Sequence, residues 1–431
     1  MSCAHSLTQN ETCFSIDASR IVFGHGALNS DASELGARVR ELGCTRVALF
    51  TDARVAQLPP VFFAIKSLQD ARIDFGVYDA VHVEPTDASF LDAARFAREG
   101  KFDGFISIGG GSVIDTCKAA ALYATHPAGF LEYVNAPVGA GKPVPGALPP
   151  HVACPTTCGT GSETTGIAVC DVLALKAKTG IASPRLRPSL AIVDPTCTYS
   201  LPAEVVAASG FDVLCHALES WTARPFSSRE KTIARPMSQG QNPWSDIGSA
   251  HALGLAAKHL VRAVTDASDR EARDALAWAA TLAGVAFGNA GVHVPHAMAY
   301  AVAGLVRDFR MPGYPQEEAM VPHGVSVVVN APSAFRFTAS ARPERHLEAA
   351  RVLGEDVRGA TPNDAGDLVA RAIERTMRAA RVPVGLASLG YTNDDVAALT
   401  RGTIVQKRLL ANAPRDVGEA ELAAIFEGAI H

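Results

Sequence analysis

The segment 210–220 carries a carboxylate and an imidazole at a spacing that suits one shared metal ion. Asp212 and His216 are four residues apart in a predicted helix, so they lie one above the other on the same helix face. Two further histidines, His296 and His323, follow in Gly- and Pro-rich surroundings. One carboxylate with three imidazoles suits a divalent first-row metal. These four residues are therefore a candidate ligand set, and their donor types leave Fe(II) and Zn(II) both open.

A glycine-rich turn is a candidate phosphate site. Gly109, Gly110 and Gly111 follow a predicted strand, and Ser112 opens a predicted helix. Glycines let backbone N–H groups approach a phosphate closely, and a helix N-terminus adds positive potential. The usual dinucleotide fingerprint is not met, because its third glycine position holds Ile114. A plain strand-to-helix turn is the alternative interpretation.

Two other polar positions suit a nucleotide. The turn 155–165 follows a short predicted strand and is rich in hydroxyls and glycines. Such a turn suits contacts to phosphate or ribose, and equally a helix cap. Asp52 stands just past a predicted strand, where a carboxylate can accept from a ribose 2′-OH and repel a 2′-phosphate. A lone aspartate at such a position is more often an ordinary cap.

The elements that must position these residues change in kind near residue 200. Before it, short β-branched runs such as 47–50, 104–108 and 190–193 alternate with helical patterns, which predicts an α/β domain with a largely parallel sheet. After it, strand signals nearly vanish and Ala/Leu-rich helical patterns dominate. We therefore predict two domains, 1–200 and 201–431. The helices predicted in the second are 204–221, 245–264, 270–287, 324–335, 345–353, 363–380 and 393–400.

The composition argues against several classes of protein. A net charge of −5 over 431 residues, without a dense Lys/Arg patch, disfavours a nucleic-acid binder. The longest apolar run, 275–290, is too mixed to span a bilayer. Nine cysteines without a C-x-x-C pair disfavour a disulfide scaffold and favour a reducing cytosol. The segment 1–14 has no signal-peptide pattern, so we expect a cytoplasmic protein.

Taken together and in order, these motifs resemble the iron-containing (group III) alcohol dehydrogenase family. The resemblance rests on the turn 109–112 with Asp115, the turn 155–163, the segment 210–220, His296 and 322–324. It implies a Rossmann-like α/β N-terminal domain and an all-α C-terminal domain, the architecture shared with dehydroquinate synthase. It also implies NAD as cofactor, a divalent metal, and a homodimer or larger homo-oligomer.

Within that family the chain is most similar to the hydroxyacid-oxoacid transhydrogenases. The supporting segments are 83–87, 209–220, 235–246, 288–293 and 343–348. An insertion after residue 231 matters most, because simple alcohol dehydrogenases of the family tend to be shorter there.

The resemblance assigns roles to individual residues. It implies that Asp212, His216, His296 and His323 are the metal ligands. Tyr300 stands where several family members carry another histidine near the substrate, which leaves the proton relay open. The implied dinucleotide contacts are Asp52, Gly109, Gly110, Gly111, Ser112, Asp115, Thr156, Thr157, Thr160 and, near the nicotinamide ribose, Lys178.

The implied chemistry is metal-assisted hydride transfer between NAD and a hydroxyacid or alcohol. A transhydrogenase would oxidise 4-hydroxybutyrate and reduce 2-oxoglutarate on one retained NAD. Such substrates carry carboxylates, so a cation should line the pocket. Arg235 is the first candidate, followed by Arg224, Arg307 and Arg310, and His293 could reach the same cavity.

Other functions remain open at this point. The principal alternative is an ordinary NAD-dependent alcohol dehydrogenase with freely exchanging cofactor, because it would use the same residues. A lyase of the dehydroquinate-synthase type is disfavoured, since 210–220 and 290–300 contain no Lys or Arg for a phosphate-bearing substrate. A non-catalytic metal-binding protein is disfavoured by the combined ligand set and nucleotide turn.

Overall fold

The strands of the first half form one parallel sheet and one separate hairpin. The computed structural model describes residues 10–175 and 177–431. The strands are β1 Arg20–Phe23, β2 Arg46–Phe50, β3 Asp74–Tyr78, β4 Gly104–Gly109, β5 His151–Pro155, β6 Ile167–Val172, β7 Ala177–Ala182 and β8 Leu190–Val193. Six of them lie in the order β1-β8-β5-β4-β2-β3, and every pairing in that sheet is parallel. β6 and β7 pair with each other in antiparallel fashion.

Helices connect and cover these strands. They are α1 Leu35–Glu41, α2 Pro59–Asp70, α3 Asp87–Gly100 and α4 Gly111–Thr125. α3 begins at a capping box in which the Thr86 and Ser89 side chains bond each other's backbone N–H groups. α4 begins directly after β4, so the carboxyl end of a buried strand runs into a helix N-terminus through Gly110. The predicted α/β fold with a mostly parallel sheet is confirmed.

The second half is helical, as predicted, and no strand follows Val193 in the part of the chain that the structure describes. The predicted division at residue 200 falls between β8 and the first long helix and stays a prediction. The helices are α5 Ala203–Thr222, α6 Pro243–Thr265, α7 Arg270–Ala290, α8 Val294–Gly304, α9 His323–Val328, α10 Ala331–Thr338, α11 Pro343–Val352, α12 Ala365–Ala379, α13 Val396–Ile404, α14 Lys407–Leu410 and α15 Glu419–Ala429.

One helix prediction is wrong. The segment 324–335 is not a single helix, because the chain breaks at Asn330 between α9 and α10. Pro332 lies in the first turn of α10, and proline cannot donate the backbone bond that a continuous helix requires there. The Asn330 side chain instead donates to the carbonyl oxygen of Ser326 at 2.7 Å.

α5 is the central helix of the second half. Residues on all its faces are buried, as expected of a helix enclosed by others. It packs against α6, α7 and α9. α9 comes close because Gly324 has no side chain: a Cβ there would lie 1.9 Å from the carbonyl oxygen of Ala208. This approach brings the start of α9 against the face of α5 that carries Asp212.

Two further observations bear on sequence predictions. Eight cysteines are free thiols, and Cys3 lies outside the described residues. Among the described helices, none alone is long and apolar enough to cross a membrane. The α7–α8 pair meets that test by length and composition, with a bend of 104° between them.

Candidate metal and dinucleotide site

A single cleft of about 440 Å³ lies where the parallel sheet meets the helical half. Gly110, Gly111 and Ser112 line it from the carboxyl end of β4. Asp212 and His216 line it from α5. The carboxyl ends of parallel strands are where open α/β sheets bind ligands. One cavity therefore contains both the predicted phosphate turn and the predicted metal ligands.

The predicted metal ligands converge on one oxygen atom. The Nε2 atoms of His216, His296 and His323 lie 3.5, 3.4 and 3.7 Å from Oδ1 of Asp212. Asp212, His216 and His296 are buried, and their ligand atoms lie within 4.8 Å of one another. The His216 ring stacks between Phe287 and His296, with centroid distances of 4.0 and 4.6 Å. These contacts hold three imidazoles and one carboxylate around a common point.

The hydrogen bonding of this cluster fits a cation. Oδ1 of Asp212 and Nε2 of His296 are buried, and neither has a hydrogen-bond partner among the described residues. Two buried acceptors without donors are costly unless something positive lies between them. Carboxylate oxygen and imidazole nitrogen are both common ligands of divalent first-row metals. The residues present therefore suit a divalent metal.

The charges around the candidate ligands are consistent with metal binding. Burial lowers the pKa of the His216 imidazole to about 3, so the ring is neutral, which is the form that binds a metal. Burial opposes ionisation of Asp212, but the neighbouring His216 and His323 outweigh it and hold the pKa of this carboxyl well below its usual range. Burial also lowers the pKa of His296, but the carboxylates of Glu219 and Asp212 outweigh it and raise the value to about 9. The carboxylates around His296 therefore stabilise a positive charge there, and a metal ion would bind in place of the proton.

Glu219 is a functional residue that the sequence reasoning missed. His296 donates from Nδ1 to Oε1 of Glu219 at 2.5 Å, which leaves Nε2 as the free ligand atom. The other oxygen of Glu219 accepts from the backbone N–H of His293 at 2.6 Å, at the N-terminus of α8. A carboxylate behind a ligating histidine fixes its tautomer and orientation. The available signal was spacing, because Glu219 lies seven residues after Asp212 and so on the same face of α5.

The glycine turn exposes backbone to the cleft at positions where a side chain would clash with the loop opposite. A Cβ on Gly111 would lie 2.7 Å from Cγ2 of Thr160, and one on Gly110 would lie 3.3 Å from Cγ2 of Thr157. Both threonines come from the loop after β5 and line the cleft with Thr156. Such a cradle of backbone and hydroxyl groups at a helix N-terminus suits a phosphate. Gly109 ends β4 and is not among the residues that line the cleft.

Ser112, Asp52 and Asp115 line the cleft, but each has bonds within the protein. Oγ of Ser112 accepts from the backbone N–H of Glu84 at 3.3 Å. Oδ1 of Asp52 accepts from the backbone N–H of Arg54 at 2.9 Å and so caps the next turn. Oδ2 of Asp115 accepts from the backbone N–H of Val169 at 2.9 Å. We infer that Asp115 ties α4 to β6 and positions the cleft wall.

Lys178 lies in the cleft, paired with two carboxylates. Its Nζ is 2.5 Å from Oε2 of Glu84 and 3.1 Å from Oδ2 of Asp171. Burial lowers the pKa of the Lys178 ammonium, but the two carboxylates outweigh it and raise the value above its usual range. The charge of Lys178 is thus already balanced by its neighbours.

Tyr300 and His293 lie in different surroundings. Tyr300 lines the cleft, and burial raises the pKa of its hydroxyl. His293 is fully buried and is not among the residues that line the cleft. Its Nε2 lies 3.0 Å from Oγ1 of Thr222, and its backbone N–H holds Glu219. The structure therefore places His293 behind the metal ligands.

The arginines predicted from the sequence do not lie in the cleft. Arg235 pairs with Glu11, with Nε 3.1 Å from Oε2. Arg224 pairs with Asp416 at 2.6 Å, and Arg307 pairs with Asp395. Arg310 donates to the backbone carbonyls of Gln316 and Asp308. The expectation that one of these four binds substrate is not met, because tertiary contacts engage each of them elsewhere.

Family models match both halves of the chain. The model described as iron-containing alcohol dehydrogenase matches residues 18–195. The model for the C-terminal part of the Fe-containing alcohol dehydrogenase family matches residues 206–430.

Individual proteins match almost the whole chain. A mitochondrial hydroxyacid-oxoacid transhydrogenase of Rattus norvegicus is 49% identical over 422 residues, which is 97% of this chain and 90% of the relative. A solved 1,3-propanediol oxidoreductase has a TM-score of 0.84 at 30% identity, covering 97% of this chain and 100% of that one. A sulfoacetaldehyde reductase from Bifidobacterium kashiwanohense in complex with NAD+ has a TM-score of 0.78 at 25% identity, covering 97% and 99%.

Proposed function

The chain belongs to the iron-containing alcohol dehydrogenase family, and from that premise we propose that it is a hydroxyacid-oxoacid transhydrogenase. Members of this family are oxidoreductases that act on CH–OH groups with a divalent metal and NAD. In the proposed reaction, 4-hydroxybutyrate and 2-oxoglutarate become succinic semialdehyde and 2-hydroxyglutarate. The reaction is redox-neutral overall. The hydride that 4-hydroxybutyrate gives to the bound cofactor is passed on to 2-oxoglutarate in the second half-reaction.

The observation that carries the proposal is the common cleft. Asp212 and its three histidines stand in the same cavity as the glycine turn, so a substrate oxygen and a nicotinamide could meet there. A divalent cation held by Asp212, His216, His296 and His323 would polarise that oxygen as a Lewis acid. The 49% identity with the rat transhydrogenase over nearly the whole chain supports the choice of this reaction within the family.

The protein's own residues supply positioning and charge. Glu219 orients His296, and His293 orients Glu219. Gly110, Gly111 and the threonines of the opposite loop would hold the dinucleotide phosphates by backbone N–H and hydroxyl groups. We further propose that Asp52 contacts the adenosine ribose and that Tyr300 contacts substrate.

The test is a reaction without added nicotinamide cofactor. Metal-loaded protein receives 4-hydroxybutyrate and 2-oxoglutarate, and 2-hydroxyglutarate is measured by mass spectrometry. Many turnovers per protein support a transhydrogenase with retained NAD. No product, together with NADH release once NAD and an alcohol are added, supports an alcohol dehydrogenase with exchanging cofactor instead.

A pair of aspartate variants makes the test specific. Asp212→Asn removes the carboxylate charge from the ligand set with little change of shape, so metal content and turnover should both be lost. Asp394→Asn changes an exposed carboxylate and should alter neither. Full activity of a metal-free Asp212→Asn protein would overturn the proposal.

Compartment and assembly also stay proposals. We propose a cytoplasmic homodimer or larger homo-oligomer, whereas the rat relative is named as a mitochondrial protein. Cell fractionation and light scattering measure the two properties separately.

A further inference from the structure

Three lysine or arginine side chains line the cleft among the described residues: Arg54, Lys178 and Arg408. Arg54 is exposed and stands two residues after Asp52, near the predicted adenosine end. Lys178 is neutralised by Glu84 and Asp171. Arg408 has no ion-pair partner in the part of the chain that the structure describes. The cleft thus contains one half-buried cation whose charge no carboxylate of the described chain balances.

The local structure holds Arg408 in place. It lies in the short helix α14, just after Gln406, whose side chain donates to the carbonyl oxygen of Lys178 at 3.2 Å. Nη1 of Arg408 donates to Oγ of Ser238 at 3.2 Å. This is its only described hydrogen bond, although a guanidinium has five N–H donors. The remaining donors are therefore available to an anion in the cleft.

Arg408 lies at the reaction end of the cleft. Tyr300 and Arg408 line the same two adjoining cavities, and Tyr300 is on α8, one turn after His296. Burial lowers the pKa of the Arg408 guanidinium, which is the expected effect on a cation that lacks an anionic partner. A carboxylate bound there would restore that balance.

The insertion after residue 231 supplies the support for Arg408. Ser238 belongs to it and is 7% exposed. The adjacent backbone is fixed to the end of α7, with Gln239 and Gly240 donating to the carbonyl oxygens of Asn289 and Ala290 at 2.8 and 2.9 Å. Ser238 is therefore a rigid acceptor that can set the direction of the guanidinium.

We propose that Arg408, positioned by Ser238, binds a carboxylate of the substrate. In these hydroxyacids and oxoacids, that carboxylate lies at the opposite end of the molecule from the carbon that reacts. This inference rests on the proposed function and names the residue that selects its substrate class. A planar guanidinium suits a carboxylate because two parallel N–H groups can bond its two oxygens. The same contact serves both half-reactions, since the substrate oxidised and the substrate reduced each carry a carboxylate.

The test compares a carboxylate substrate with a neutral one of similar length. Holoenzyme with its bound NAD is mixed with 4-hydroxybutyrate or 1-butanol, and the second-order rate constant for the single reduction of that nicotinamide is measured by stopped-flow absorbance. Arg408→Met should lower the value for 4-hydroxybutyrate roughly 10- to 100-fold, the range for a lost hydrogen bond to a charged group. The value for 1-butanol should change far less. Arg408→Lys should restore part of the loss, and Ser238→Ala should give a smaller loss.

A binding measurement and a control variant complete the test. Titration calorimetry with succinate, an unreactive dicarboxylate, should show weaker binding to the Arg408→Met holoenzyme by a similar factor. Arg401→Met removes an exposed arginine of α13 and should leave both measurements unchanged. Thermal melting of each variant identifies any that fails to fold.

Two outcomes would overturn the inference, and they are distinguishable. If wild-type protein prefers 4-hydroxybutyrate and Arg408→Met retains that preference, or loses both substrates equally, Arg408 does not recognise the carboxylate. The proposed function then survives. If wild-type protein shows no preference for the carboxylate and no transhydrogenation without added NAD, both the proposed function and this inference fail.

Discussion

The two ends of the cleft are built from different chemical groups. At the dinucleotide end, Gly110 and Gly111 expose backbone at the end of one strand, and threonine side chains lie opposite. At the metal end, charged and titratable side chains from α5, α8 and α9 converge within a few ångströms. The first end depends on local shape, whereas the second depends on how three helices pack.

This difference predicts different responses to mutation. A substitution at the glycine turn should act by steric clash, so removing an atom from the facing threonine should restore function. A substitution at the metal end should act by altering charge or the position of a helix, so a smaller neighbouring side chain should not restore function. Four experiments test the contrast, beginning with the largest expected effect.

Gly324→Ala should disrupt the metal end most. The added Cβ would meet the backbone carbonyl of Ala208 at 1.9 Å and Cβ of Asp212 at 3.1 Å. Overpacking of this kind typically costs about 1–3 kcal/mol, and here it must push His323 away from Asp212. Metal content after dialysis should fall to background. Gly254→Ala in α6 is the control, because nothing lies within 4 Å of its Cβ and alanine favours a helix.

Glu219→Gln should weaken metal binding without removing a ligand. The amide cannot supply the charge that Glu219 places behind His296, and such changes typically reduce metal affinity about 10- to 100-fold. Competition with a chelator measures that affinity. Glu163→Gln is the matched control, since Glu163 is also buried and accepts from Thr281 at 3.1 Å but does not line the cleft. Equal metal affinity in both variants would contradict the role of Glu219.

Gly111→Ala should weaken NAD binding and leave metal content unchanged. Its Cβ would lie 2.7 Å from Cγ2 of Thr160, so the turn must shift. Thr160→Ser in the same chain removes that atom but keeps the hydroxyl, and it should restore part of the affinity, measured by fluorescence titration with NADH. Gly129→Ala, whose Cβ has its nearest described contact at 3.6 Å, is the control. Failure of the second substitution to restore any affinity would argue against a steric cause.

His151→Gln should flatten the acid dependence of stability, the smallest effect. Burial lowers the pKa of His151, which bonds Ser107 at 2.8 Å, to about 3. Above pH about 6.5, the ordinary histidine pKa, the imidazole is neutral in both states. Below that pH the unfolded state binds a proton on this histidine, whereas the folded state stays unprotonated down to pH about 3. The contribution of His151 to the free energy of unfolding therefore decreases as the pH is lowered through this range, by at most about 1.4 kcal/mol per pH unit.

Urea unfolding at several pH values measures that slope. Because His151 belongs to the sheet, its contribution should be the same with and without added metal. A metal-dependent difference between wild type and His151→Gln would show that the sheet is coupled to the metal end.

The sequence predicted the elements well where local signals were strong. The strands at 104–108 and 190–193 and the helices at 204–221 and 270–287 appear within a few residues of their predicted bounds. It missed β1, β3 and the β6–β7 hairpin. It also joined α9 and α10, because a single internal proline such as Pro332 competes with an otherwise helical pattern.

Local spacing by itself determined much of the candidate site. Asp212, His216 and Glu219 share a face of α5 because a helix repeats every 3.6 residues, although the third of these was overlooked. The glycine turn is also local, since backbone freedom over a few residues is enough to expose its N–H groups.

Only the tertiary structure decided which distant residues join that site. His323 reaches Asp212 because Gly324 lets α9 touch α5, a contact across more than a hundred residues of chain. Arg235 bonds Glu11 instead of facing the cleft, and Arg408 faces it because Gln406 bonds Lys178 and Ser238 bonds the guanidinium. These pairings depend on the packing of whole helices and loops. Sequence spacing does not predict that packing, because it indicates only which residues are close along the chain.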